Sequence, residues 1–539
     1  MKHRLVTAGL VILGLSLSAN AAEPSSTIYK LEFADRTTFL KASISLHANL
    51  QKSQPQTQTL WATLSKAELA RVSPFVVSIE AVMDEAAFLP HQQIDLALSG
   101  IPGYSCYPTV EETQAELISL VSTYPQLATQ IDIGDSWRKQ AGKGGYDLTV
   151  LKLTNQQIEG DKPKLFIHAA MHAREYATSP LALAFAQELL QNYANDADIQ
   201  WILDRHEIHL LLHMNPDGRK QAEAGLLWRK NANEDYCGEN ASAQGADLNR
   251  NFSWEWGTVA GGSSGEECSD IYRGPSAASE PETQAVEAYV RQIFGDHRGP
   301  NRTDAAAETT QGLHIDVHSF SELVLWPWGD TQDTAPNAAA LQALGRKLAH
   351  FNGYTPMQSV GLYPTDGTSD SVTYGELGIP HMTFEVGTTF FQSCSDFHAT
   401  ILPDNLNAFK YAAKIVDAPY LTPSGPDISQ MLLNGKSVFQ VANDKAAVLS
   451  VSASDARFSA RAGTELTQAI SDIVLYVDAS PWDSQVTPIS LVAKDGSFDS
   501  VTEQAEYQLD VSSVSLGRHT LYMKARDSSG QWGAVSSVF

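Results

Sequence analysis

Between residues 101 and 420 the apolar positions keep changing their period. Five short runs rich in Val, Ile and Leu read as strands: Asp147-Leu-Thr-Val-Leu-Lys-Leu153, Lys164-Leu-Phe-Ile-His168, Glu207-Ile-His-Leu-Leu-Leu-His213, Leu313-His-Ile-Asp-Val-His318 and His381-Met-Thr-Phe-Glu-Val386. Between them, apolar residues three and four apart predict helices over 110–124, 180–193, 279–294 and 337–351. This alternation predicts an α/β domain, a sheet covered by helices on both faces. Gly and Pro cluster where the strands end, which is where such folds place their sites.

The flanks have a different grain. From 22 to 100 the chain predicts a small N-terminal α+β unit. Ser26-Thr-Ile-Tyr-Lys-Leu-Glu-Phe33 alternates like a half-buried strand, helical stretches follow, and a second strand is expected near Pro74-Phe-Val-Val-Ser-Ile-Glu80. Two readings stay open for it: a propeptide covering the active site, or a permanent accessory unit. Tyr420-Leu-Thr-Pro-Ser-Gly-Pro-Asp427 reads as a linker, and past it the helical pattern stops. Over 421–539 short alternating runs such as Ile473-Val-Leu-Tyr-Val477 and His519-Thr-Leu-Tyr-Met-Lys-Ala525 predict a C-terminal β-sandwich of the immunoglobulin or fibronectin kind.

Composition narrows the function classes. The 539 residues exceed one compact core, and 43% hydrophobic with 18% charged residues suits globular domains. Lys and Arg total 37 against 62 Asp and Glu, a net charge of −25. That field repels nucleic acid and anionic membrane surfaces, so neither is an expected partner. Residues 1–21 read as a secretory signal peptide: a basic start at Met1-Lys-His-Arg4, an apolar run too short to span a membrane, and Ala19-Asn20-Ala21 for cleavage. A secreted chain, extracellular or periplasmic, favours disulfides among its four cysteines. Cys237 and Cys268 flank one Gly/Ser/Asn-rich loop and are natural partners, which leaves Cys106 with Cys394.

The chemistry lies where strands end. In His168-Ala-Ala-Met-His172-Ala-Arg-Glu175, a strand runs into a helix start, and His172 and Glu175 at that spacing can face one point. Imidazole and carboxylate together suit zinc. His318, at the end of its own strand, offers a third ligand from a distant segment. Glu385 is an acid in an otherwise apolar strand, and a carboxylate there is misplaced unless it is functional. Trp228-Arg-Lys-Asn231 and Asp247-Leu-Asn-Arg-Asn251 put cationic and amide groups on loops. Together these suggest an open three-ligand zinc, a carboxylate to activate water and arginines to bind a substrate carboxylate. His168, His209, His213, His314 and His381 lie on strands and read as core groups or supports, and Asp316 shares a strand face with His318.

On these motifs, which occur in the family's order, the segment 101–420 resembles the zinc carboxypeptidases of the A, B and T types. The resemblance implies a mixed-sheet zinc carboxypeptidase fold and a metallocarboxypeptidase acting on the C-termini of peptides and proteins. One Zn2+ per chain would sit on His172, Glu175 and His318, with Asp247 orienting His172. Glu385 would be the general base, and Arg229 would polarise the scissile carbonyl. Asn249 and Arg250 would grip the terminal carboxylate, Tyr363 would close over the substrate, and Arg174 would line the subsite before the scissile bond. Asp370 falls at the base of the pocket for the C-terminal side chain, where an acid marks the B type and implies basic C-terminal residues. Ser371 departs from the second acid that many relatives carry next to it. A peptidoglycan peptide hydrolase and a non-catalytic peptide- or glycan-binding module are the alternatives. The oligomeric state is open, a monomer being the simplest expectation.

Overall fold

The structure is a computed structural model describing residues 27–46, 50–54, 57–82, 100–238, 243–437, 439 and 447–539. The expected signal, 1–21, lies outside these residues. The first unit is an antiparallel sheet of β1 (Thr27–Glu32), β2 (Leu50–Gln54), β3 (Thr59–Leu64) and β4 (Ser78–Ala81) in the order β2-β3-β1-β4, with helices Arg36–Ser45 and Lys66–Val72. The strand expected from Pro74 begins only at Ser78. Ser73–Phe75 is instead a turn of 3-10 helix with Pro74 in its first positions, where a missing N–H costs nothing.

The central domain is a mixed eight-stranded sheet. Its strands are β5 (Ala128–Asp135), β6 (Asp147–Leu153), β7 (Lys164–Ala169), β8 (Glu207–Leu211), β9 (Leu313–His318), β10 (Leu323–Trp326), β11 (Thr355–Gln358) and β12 (His381–Glu385), ordered β11-β10-β12-β9-β7-β8-β6-β5. All five expected strands form. The middle of the sheet, β12, β9, β7 and β8, is parallel. There β7 and β9 are buried at nearly every position, which explains their continuous apolar runs. The four expected helices are Val110–Thr123, Thr178–Asn192, Pro281–Phe294 and Ala338–Asn352. The first starts where its sequence says: the Thr109 side chain accepts from the Glu112 N–H while Glu112 reaches back to the Thr109 N–H. Apolar clusters form on both faces of the sheet, one around Leu165, Ile167 and Val317, the other around Phe166, Leu211 and Val286.

After the linker, β13 (Asp427–Leu433), β14 (Ala447–Ser454), β15 (Ile470–Val477), β16 (Ile489–Ser490), β17 (Val492–Ala493), β18 (Thr502–Leu509), β19 (Leu521–Asp527) and β20 (Ser536–Val538) form two four-stranded sheets, β13-β14-β18-β17 and β16-β15-β19-β20. Their inward residues, among them Leu449, Leu475 and Met523, make the sandwich core. The sandwich is docked through helix Ala338–Asn352. Its buried Lys347 bonds Asp427 at 3.1 Å, and Arg346 donates to the Ser459 and Gly463 carbonyls at 2.9 Å each. Both expected disulfides are present. Cys106–Cys394 closes a sequence separation of 288, and Cys237–Cys268 one of 31. No helix among the described residues is long and apolar enough to cross a membrane.

Candidate functional site

At the C-terminal edge of the parallel strands, three ligand atoms converge. His172 and Glu175 stand on the turn after β7, and His318 ends β9. His172 Nδ1 is 2.8 Å from Glu175 Oε1 and 3.0 Å from His318 Nδ1, and His318 Nδ1 is 3.1 Å from Glu175 Oε2. All three side chains are buried. The other nitrogen of each ring meets a carboxylate: His172 Nε2 lies 3.1 Å from Asp247 Oδ1, and His318 Nε2 lies 2.8 Å from Asp316 Oδ2. Carboxylates accept only, so each Nε2 presents an N–H to its carboxylate and each Nδ1 faces the centre. Two imidazole nitrogens and a carboxylate oxygen that all lie within 4.8 Å of one another make a donor set that fits Zn2+.

Glu385 ends β12 in register with His318. Its carboxylate lines the cleft and has no hydrogen-bond partner among the described residues. Burial, then the nearby Glu175, push its pKa up to about 8 against the pull of His318. Glu175 is held down at about 2: burial opposes ionisation, but His172 and His318 outweigh it. Arg229 donates from Nε and Nη2 to Asp247 Oδ2 at 3.0 and 2.8 Å, and its Nη1 lies 3.3 Å from His172 Nδ1. Burial works against its charge, but Asp247 keeps it protonated. One carboxylate thus orients both a ligand and a cation.

Asn249 and Arg250 follow Asp247 in a short 3-10 turn (Leu248–Arg250), which Asp247 caps. Arg250 donates from Nε to the Gly262 carbonyl at 2.7 Å and from Nη1 to the Asn249 carbonyl at 2.6 Å, so Nη2 is left for a ligand. Tyr363 lies with its ring 5.8 Å from this guanidinium. Asp370 is buried at the same cleft, takes the Thr368 hydroxyl, and is pushed up to about 6 by burial. The Ser371 hydroxyl bonds the Thr368 carbonyl and does not line this cleft.

Of the residues expected to bind or react, His172, Glu175, Arg229, Asn249, Arg250, Tyr363, Asp370 and Glu385 line one cleft, with His318 beneath it. Arg174 does not. It is buried, its guanidinium sits 4.1 Å from the Phe390 ring, and Phe390 presents itself to the cleft instead. Two readings that the sequence left open find a place: Asp316 stands behind His318, and the N-terminal unit lies above the site. Ser43, Leu50 and Ser53 of that unit line the cleft, and the Ser53 N–H donates to the Thr388 carbonyl at 3.1 Å. Phe320 and Phe390 complete the apolar core that holds Phe33, Phe39 and Leu60.

Comparison with known proteins agrees with this geometry. The sequence pattern of the family described as zinc carboxypeptidase matches residues 113–406. A zinc carboxypeptidase from Saccharothrix mutabilis subsp. capreolus is 33% identical over 299 residues, covering 53% of this chain and 62% of that protein. Carboxypeptidase B from Astacus astacus is 30% identical over 286 residues, covering 52% of this chain and 85% of that one. The crystal structure of carboxypeptidase A from Helicoverpa armigera shares the fold, with a TM-score of 0.57 over 74% of this chain and 97% of that chain at 21% identity.

Proposed function

The chain belongs to the zinc carboxypeptidase family, and on that premise we propose that it is a secreted metallocarboxypeptidase that removes the C-terminal residue from peptides and proteins. The observation that carries this reading is one cleft that brings together the His172–Glu175–His318 triad, the Glu385 carboxylate and, beside them, Arg229, Asn249 and Arg250. Zinc held by the triad would supply a Lewis acid that lowers the pKa of a water in its open position and polarises a carbonyl. The protein's own groups do the rest. Arg250 Nη2 and the Asn249 side chain fix the terminal carboxylate, which places the last peptide bond at the triad. Glu385 takes a proton from the attacking water and delivers it to the leaving amine. Arg229, locked by Asp247, stabilises the charge that grows on the carbonyl oxygen. Both disulfides suit an oxidising compartment and support export.

Mass spectrometry of an N-terminally blocked peptide tests this. Single C-terminal residues should appear in sequence, and amidating the C-terminus should slow cleavage by about 10–100-fold, the worth of a hydrogen bond to a charged group. Internal fragments would point to an endopeptidase and defeat the proposal.

Asp370 makes the cleft a pocket for basic C-terminal residues. A buried carboxylate gains a charge-assisted bond from Arg or Lys and is left unpaired by Phe or Leu, so a preference of roughly 10-fold is expected. Its pKa of about 6 sets the sign with pH. Below that value the carboxyl is neutral and the preference weakens. Above it the group is ionised and the preference is full. The kcat/KM ratio for peptides ending in Arg over Phe should therefore rise between pH 5 and pH 8, and become flat in Asp370→Asn. A ratio below one at pH 8, or one that Asp370→Asn leaves unchanged, removes Asp370 as the determinant.

The N-terminal unit is proposed as a removable cover. Its seal is Ser53 on Thr388 together with an apolar core shared with Phe320 and Phe390. Cutting the chain between 82 and 100 and separating the unit should raise the activity of the remainder, and adding the unit back should lower it. Equal activity before and after the cut would make it a permanent accessory.

A further inference from the structure

Three of the strand histidines form a line with Asp316. On β9 the side chains alternate, so His314, Asp316 and His318 share one face. The strand registers bring His168 beside Asp316 and His381 beside His314, all fully buried. The Thr373 hydroxyl lies 2.8 Å from His314 Nδ1, His314 Nε2 lies 2.8 Å from His168 Nδ1, and His168 Nε2 lies 2.9 Å from Asp316 Oδ1. The other oxygen, Oδ2, accepts from the Ser369 hydroxyl at 2.6 Å and from His318 Nε2 at 2.8 Å.

The Thr373 hydroxyl donates to the Ser369 carbonyl at 3.3 Å, so it accepts from His314 Nδ1. The lone pair on His314 Nε2 then faces the His168 Nδ1 proton. A carboxylate can only accept, and Asp316 does so on Oδ2, from Ser369 and from His318 Nε2, whose ring is thereby fixed in one tautomer and one orientation. Ser369 adds a second tie. Its hydroxyl holds Asp316, its N–H donates to Asn249 Oδ1 at 3.1 Å, and its neighbour Asp370 lines the cleft.

We propose that Asp316 is the positioning residue of the metal ligand His318, and that Ser369 clamps it, so that one carboxylate orients the ligand and anchors the loop beneath the substrate pocket. This rests on the reading of the triad as a zinc site. It gives each ligating histidine its own carboxylate, Asp247 for His172 and Asp316 for His318, and the two are built differently. Asp247 is shared with an arginine, whereas Asp316 is shared with the Ser369 hydroxyl.

The test uses the full chain and measures the zinc dissociation constant by competition with a chromogenic chelator. Asp316→Asn keeps the shape and removes the charge, and supports of this kind change metal affinity about 10–100-fold. The constant should rise by that factor, and the visible bands of the cobalt-loaded protein should shift. Asp417→Asn is the control. It removes the same charge from a buried histidine, His206, that is remote from the triad, and it should change neither readout. Matched melting temperatures of the metal-free proteins separate positioning from loss of fold. If Asp316→Asn does not fold, Ser369→Ala takes its place and should release zinc several-fold faster. A parent and an Asp316→Asn, or failing that a Ser369→Ala, that hold zinc equally overturn the inference. A parent that takes up no zinc overturns the metal-site reading itself, and this inference with it.

Discussion

Stripping the metal with a chelator should abolish peptide hydrolysis, and one equivalent of Zn2+ should restore it. The triad makes this expectation strong because nothing else in the cleft can replace what the metal supplies. Arg229 is tied by two donors to Asp247 and keeps its charge. Glu385 carries no positive charge to offer a carbonyl. The triad brings His172 Nδ1 and His318 Nδ1 to 3.0 Å of one another in a buried site. The folded state alone presents this geometry, so zinc should also stabilise the fold, by about 4 kcal/mol when free zinc is 1,000 times its dissociation constant. Elemental analysis, the activity assay and thermal melts on one preparation read all three consequences. Full activity in a preparation proven free of metal would remove the mechanism, and zinc-independent melting would place the ion elsewhere.

Much of this site was legible because its chemistry sits in short segments whose surroundings give it away. His172 and Glu175 mark a strand that stops at a turn, and Glu385 stands out as an acid in an apolar strand. What stayed hidden depends on contacts between distant segments. His168 and Asp316 are neighbours only through the β7–β9 register, and no local spacing announces that. Arg174 follows His172 by two, but the turn carries it under Phe390, a residue more than 200 positions away. The unrecognised strands have local causes. β11 is four residues containing a proline, tolerable only at the edge of the sheet where it lies. β10 has four residues. β5 is an edge strand whose register shifts between Asp132 and Gly134, which breaks the alternation. The N-terminal unit could be seen as a unit, and a place over the active site was one of two open readings, but the contacts that seat it there, with Phe320 and Phe390 of the central domain, join distant segments.

Replacing Glu385 by Gln should lower kcat by about 10²–10⁴-fold, the range of general-base assistance, while zinc stays bound and KM changes little. Gln keeps the volume and the planar head of the side chain, so the β12 edge and the neighbouring His318 should be undisturbed. What is lost is one proton acceptor. Glu385 suits that role because its carboxylate faces the cleft with no hydrogen-bond partner among the described residues, so it is free to accept from water. The other acids near the triad are committed. Glu175 is bonded to His172 and to the Ser319 N–H, Asp247 to Arg229 and His172, and Asp316 to Ser369 and His318. The pKa of about 8 that burial imposes on Glu385 would leave it largely neutral at pH 7, which is the wrong state for a base. A divalent cation in the triad reverses this, since positive charge favours the carboxylate. The same residue is therefore ionised before the bond breaks and basic enough to hold the proton it then gives to the amine. A loss below about tenfold in Glu385→Gln, short of the range for a general base, would assign the proton transfer to another group. A large loss accompanied by zinc release would instead show that Glu385 supports the metal and leave its role as base unsupported.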